Sequence, residues 1–409
     1  MSSATRGALV AIMFVNFVTI SGFGFLFPVF PIYGDAIGAN ATELTLAIGA
    51  FSLGQFISSP FWGQISDKIG RKPILVGSLL AGAILSALNV FADTPWLLIL
   101  ARFVCGLAAG SFSVAFAVAA DLSTPQTRTR IMGMVGAGFS LGFILGPALG
   151  GFAAGDDAGQ EAFARVCFAG AALFAVGSLL TFFFLPETRV KANVESPPVA
   201  KDIVPPTNGL KIFKSPVLAF TIAMSLVSSL ALSNTEATFA IFADDVLALR
   251  PSSIGLIFGG MGIIGAFGQF ALAGPLARMI GERGMLNFAL GVLAVGMAVV
   301  GMSSTLLQAV IGMGLIACGF ATVTPAISGM ASLAAPSYQQ GKALGVVQSA
   351  SALGRVLGPA GAGLLYDLIS PPAPFLAATA ILAISMLAGW LGFGAERSVN
   401  RPTAPNERT

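Results

Sequence analysis

A chain of 409 residues in which 56% are hydrophobic and only 10% charged lacks the polar surface that two or three water-soluble domains would need. Its formal net charge of +3 forms no continuous basic groove, so no nucleic-acid partner is expected. With no histidine, a zinc site or a Ser-His-Asp triad would lack its usual nitrogen. Cys105, Cys167 and Cys318 each fall inside an apolar run without metal-ligand spacing and read as buried free thiols.

A bilayer core about 30 Å thick is crossed by about 20 apolar helical residues. Runs of that kind fall near residues 7–33, 42–65, 73–92, 96–120, 131–154 and 164–185. The small residues Ser21, Gly22 and Gly24 resemble a leader-cleavage site, but the first run continues past them and reads as a span. Residues 186–215, with Pro197-Pro198, Pro205-Pro206 and several charges, have linker composition. Six further runs follow near 216–243, 252–275, 284–303, 305–333, 342–366 and 372–394. The expected organisation is an all-α membrane protein of twelve transmembrane helices: a six-helix bundle over 1–185, a linker over 186–215, a second bundle over 216–394 and a tail over 395–409. The short alternating segments of a membrane β-barrel are absent from the pattern.

An even number of spans puts both termini on one side. Of the 21 Lys and Arg, all but Arg165, Arg250, Arg102 and Arg355 fall on that side, which the positive-inside rule assigns to the cytoplasm. The expected location is therefore the cytoplasmic, or inner, membrane with both termini and the linker cytoplasmic.

The segment Gly63–Leu75 lines up with Gly274–Leu286 at an offset of 211, with Asp67 opposite Arg278, Gly70 opposite Gly281 and Arg71 opposite Glu282. A second match, Gly142–Pro147 with Gly354–Pro359, has an offset of 212. The two offsets point to a duplicated bundle.

These segments carry a family resemblance. Gly63–Leu75, with Asp67, Gly70, Arg71 and Lys72, resembles the signature between helices 2 and 3 of the major facilitator superfamily. Arg102 with Gly106 and Gly110 resembles its second motif. Gly142–Gly151, with a Gly-Pro pair in helix 5, resembles the third, which marks the drug:proton antiporter branch. The resemblance implies the major facilitator fold and a secondary transporter that takes a small molecule and protons, needs no cofactor and acts as a monomer. It also implies that helices 1, 4, 7 and 10 line a central cavity.

Asp67 and Arg71, four residues apart around Gly70, place opposite charges side by side before a tight reversal. They read either as solvated loop charges or as a latch holding the cytoplasmic side shut. The resemblance adds Asp121 to that network, with Arg128 and Arg278 as further partners. Gly142, Gly146, Gly150 and Gly151 let a neighbouring helix approach closely, and Pro147 bends their helix; the resemblance makes this element a seal of the cavity.

Charges inside a bilayer are costly unless paired or facing water, so Arg102, Glu236 and Arg355 are functional candidates. Arg102 and Glu236 lie at the same depth and could face one cavity; alternatively Arg102 packs on backbone carbonyls, and Glu236 lies in an outer vestibule with Asp244 and Asp245. A carboxylate in a half-dry cavity has its charged form disfavoured and can exchange protons. Relatives of the tetracycline type carry an acid in helix 1 where this chain has Thr19, so proton coupling shifts to Glu236 and Asp67, with Arg102 beside them. Asn16, Thr19, Asn234 and Gln348 complete the candidate cavity lining, each also suited to an interhelical hydrogen bond. Against three Tyr and three Trp, 33 Phe make the interior aromatic but poor in hydroxyls, which fits a hydrophobic substrate better than a sugar. The expectation is proton-coupled efflux of hydrophobic or cationic drug-like compounds. The alternatives are a carrier of a sugar, amino acid or siderophore, and a membrane sensor that transports nothing. An enzyme is not expected.

Overall fold

The computed structural model describes residues 3–123, 128–155, 159–188, 215–334 and 340–399, which contain helices, turns and no strand. The first six helical segments are α1 (Gly7–Ile37), α2 (Ala41–Ile69), α3 (Arg71–Phe91), α4 (Pro95–Asp121), α5 (Arg128–Ala154) and α6 (Gln160–Phe184). The second six are α7 (Pro216–Asp245), α8 (Pro251–Ala271), α9 (Ala273–Gly301), α10 (Leu306–Ala334), α11 (Gln340–Leu368) and α12 (Ala373–Val399). Among the described residues, ten of these are long and apolar enough to cross a membrane. The other two, α5 and α11, are counterparts in the duplication.

Local sequence explains the breaks. In α1 a helix ends at Gly24, a 3-10 turn covers Phe27–Val29 with Pro28 inside it, and a second helix begins at Phe30. The capping box of Asn40 and Glu43 starts α2. Gly110 and Ser111 interrupt α4 between Ala109 and Phe112. The corner between α2 and α3 turns on Gly70 at φ 113°, ψ 157°; 211 residues later Gly281 breaks α9 at φ 70°, ψ 170°. Both glycines occupy backbone geometry that a Cβ would strain.

The helices alternate in direction. The start of α1 and the end of α12 lie at one end of the bundle, the terminal face, and the far ends of α1, α3 and α5 lie at the far face. In the first half α1 packs on α5, α2 on α4 and α3 on α6; in the second, α7 packs on α11, α8 on α10 and α9 on α12. The α1–α5 and α7–α11 pairs repeat in detail. A Cβ on Gly142 would meet the Phe17 carbonyl oxygen at 2.6 Å, and one on Gly354 would meet that of Leu226 at 2.5 Å. Ser21 Oγ donates to the Gly142 carbonyl at 3.4 Å, and Ser233 Oγ donates to the Gly354 carbonyl at 3.2 Å. In lipid, where no water solvates polar groups, these bonds and close backbone contacts hold helices together.

Two further pairs join the halves, α5 with α8 and α2 with α11. Gly151 lies on Gly255 and the Pro251 carbonyl; Gly363 lies on Thr42 and the Ala41 carbonyl; Gly49 lies on Val356 and Pro359. Rings continue the contact: Phe51, Phe23 and Phe27 of the first half lead to Phe258 and Phe239 of the second, with centroids 4.9, 4.9, 5.8 and 5.5 Å apart in sequence. All of these contacts lie toward the far face, where the seam between halves is shut.

Candidate transport site and terminal-face charge cluster

At the terminal face, Arg71 of α3 is the centre of a charge cluster. Its guanidinium meets Asp67 at 2.5 Å, Asp121 at the end of α4 at 3.2 Å and the Ser66 hydroxyl at 2.6 Å. Glu187, just beyond α6, accepts from the backbone N–H groups of Arg71 at 2.9 Å and Lys72 at 3.2 Å. A carboxylate there satisfies the free donors at the start of α3 and complements its dipole. Glu187 falls in the segment read from sequence as linker, and the reading missed it. The available signal was a lone acid directly after an apolar run, close to a helix start that lacks its own capping side chain.

The cluster includes Asp67, Gly70, Arg71 and Asp121 as expected, but all these partners belong to the first half. It differs in this from the expected latch between bundles. Arg278 is exposed and makes no ion pair among the described residues, and the Arg128 side chain lies outside the described residues.

Deep in the far half of the bundle, Glu236 of α7 is only 4% exposed, and Arg355 lies on α11, the helix that packs on α7. The packing of α11 on α7 through Gly354 and Gly358 puts the two charges on adjoining helices, without an ion pair between them among the described residues. Arg102 of α4, only 2% exposed, goes elsewhere: it donates to the Phe23 carbonyl at 3.4 Å and stacks over Phe51 at 4.7 Å and Phe30 at 5.8 Å. The expectation that Arg102 and Glu236 face one cavity gives way to its alternative, a carbonyl-bonded and ring-stacked arginine in the first half. The vestibule alternative for Glu236 gives way to a buried acid. Equal depth is a matter of sequence position, whereas partner choice depends on how each helix is turned, which the span count does not contain.

The neutral candidates do not converge on one cavity either. Asn16 donates to the Val135 carbonyl of α5 at 3.3 Å, and Asn234 donates to the Pro374 carbonyl of α12 at 2.8 Å. Thr19 bonds back to the Val15 carbonyl at 2.9 Å, and Gln348 is exposed. In α5, Gly142, Gly146 and Gly150 pack on α1, Gly151 packs on α8, and the Pro147 ring sits on Gly24.

The Major Facilitator Superfamily profile matches residues 12–321 and 222–409, which together span nearly the whole chain. The chain belongs to the Major Facilitator Superfamily. This facilitator is 30% identical over 371 residues to the tetracycline resistance protein, class E, of Escherichia coli, covering 88% of each chain. It is 28% identical over 381 residues to multidrug resistance protein 1 of Bacillus subtilis, covering 91% of this chain and 94% of the other. Among solved structures, a bacterial homologue of the human lysosomal transporter Spinster has the same fold, with a TM-score of 0.79 at 14% identity over 99% of this chain and 100% of that one. The facilitator is thus an integral membrane protein. Its α11 does two things at once: it packs on α7, the helix of the buried acid, while Gly363 and Asp367 close the seam against α2.

Proposed function

We propose that this facilitator is a proton-coupled exporter of hydrophobic, drug-like compounds, working by alternating access in the cytoplasmic membrane with its terminal face in the cytoplasm. The observation that carries the reading is the double role of α11. It carries Arg355 and packs on α7, the helix of the buried Glu236, through Gly354 and Gly358, and its far end holds the seam through Asp367 and Gly363. Protonating Glu236 removes the charge that attracts Arg355, so α11 loses a reason to stay against α7. The far seam then opens and substrate can leave; loss of the proton restores the attraction and the closed seam. The full-length likeness to proteins named for tetracycline and multidrug resistance supports the substrate class. The excess of phenylalanine over hydroxyl-bearing aromatics supports it too.

On this reading the conformation described is shut to the outside, while Asp67 and Asp121, the acids on the Arg71 side chain, both belong to the first half. The basic bias of the terminal-face loops supports the orientation. The test is transport in reconstituted vesicles with an imposed pH gradient. The wild type should move a fluorescent cationic dye or tetracycline against its gradient. Glu236→Gln should bind the compound but lose pH-driven movement. Intact coupling in that variant would remove Glu236 from the mechanism.

A further inference from the structure

Arg102 is buried and ring-stacked, and the Nε–H of its guanidinium has no hydrogen-bond partner among the described residues. It lines a cavity of about 30 Å³ inside the first half, between α1, α2, α3, α4 and α6, separate from the seam. Asn89 of α3 lines the same cavity, and its Oδ1 is likewise unpartnered. The remaining walls are hydroxyls and apolar groups such as Ser78, Ser111, Phe25 and Phe174, with no acidic side chain among them. A full positive charge thus faces a small space whose lining offers no counter-charge. Desolvating such a charge costs several kcal/mol unless an opposite charge accompanies it.

We propose that this cavity binds a small monovalent inorganic anion of the halide class, with Arg102 as its charged ligand. A space of this size takes about two water-sized spheres, enough for a halide and too little for an organic carboxylate. Asn89 supplies the second donor. Its Nδ2 is 3.4 Å from the Cys105 sulfur, so turning the amide over lets Oδ1 accept from the thiol and aims Nδ2–H at the anion. The bound anion neutralises Arg102 and ties α3 to α4 next to the Phe23–Phe51 ring pair, which leads into the seam.

The test is thermal unfolding of the purified full-length chain in detergent, at constant ionic strength, in chloride, bromide or gluconate. Chloride and bromide should raise the midpoint saturably over gluconate in the wild type. Arg102→Gln should abolish the difference. Because that variant can fail to fold, Asn89→Asp is the second arm: its carboxylate occupies the anion's place, so the protein should match the chloride-bound wild type even in gluconate and show no halide effect. Bromide should also give an anomalous scattering peak beside Arg102 in crystals. A wild type indifferent to the anion means that water alone fills the cavity and overturns the proposal, as does a halide effect that persists in Asn89→Asp.

Discussion

Asp367 accepts two hydrogen bonds from Thr42, from the backbone N at 2.8 Å and from Oγ1 at 2.5 Å, and so ties the end of α11 to the start of α2 across the seam between the halves. The equivalent α5–α8 contact has glycines at this place, with Gly151 close on Gly255 and the Pro251 carbonyl. A charge-assisted hydrogen bond contributes about 1.5–3 kcal/mol. Asp367→Asn should therefore shift the population toward an open far face by about tenfold, read as an increased distance between spin labels at the far ends of α2 and α11. An unchanged distance distribution would show that the glycine contacts suffice.

Glu236 and Arg355 should behave as a coupled pair. Removing the acid alone leaves the half-buried Arg355 without the nearby acid on α7, and removing both leaves neither charge. The double substitution Glu236→Gln with Arg355→Gln should be more stable than Glu236→Gln alone, with a coupling energy on the order of 1–3 kcal/mol in a double-mutant cycle of unfolding. Additive effects would mean that the two charges are stabilised independently.

Gly70 and Gly281 share a backbone conformation but not an environment. A Cβ on Gly70 would meet the Glu187 carboxylate at 2.5 Å, whereas one on Gly281 meets nothing within 4 Å. Alanine at either position incurs the strain of positive φ, about 1 kcal/mol or more. Gly70→Ala should cost more than Gly281→Ala, because it also displaces the carboxylate from the start of α3. Paired unfolding measurements check this, and equal losses would make the Glu187 contact unimportant.

The α1–α5 seam inside the first half has no slack. A Cβ on Gly150 would collide with the Phe25 carbonyl oxygen, and one on Gly146 would meet Ser21 Cα at 2.8 Å. Gly150→Ala should destabilise the protein by about 1–3 kcal/mol through overpacking. Gly358→Ala should do the same in the second half, where the added atom would collide with Ser233 Oγ. Thermal unfolding of both variants in detergent measures whether the duplicated elements bear similar loads.

The twelve spans, the duplication and the close-packing glycines were legible because each is a local pattern: an apolar run long enough for a bilayer, or a glycine where backbones must approach. The repeat offset even anticipated geometry, since Gly70 and Gly281 take the same unusual backbone form. Partners were not legible in the same way. Nothing in a linear sequence says that Glu187 returns to the start of α3, or that Thr42 meets Asp367 from 325 residues away.

What the sequence determined by itself is the solvent, the number of helices and the places where they can touch, because hydrophobic length and glycine spacing act within a single helix. Which charge faces which was decided only by the tertiary structure. The rotation of each helix, set by its packing on neighbours, buries Glu236 in the second half and leaves Arg102, at the same depth, among the rings of Phe51 and Phe30.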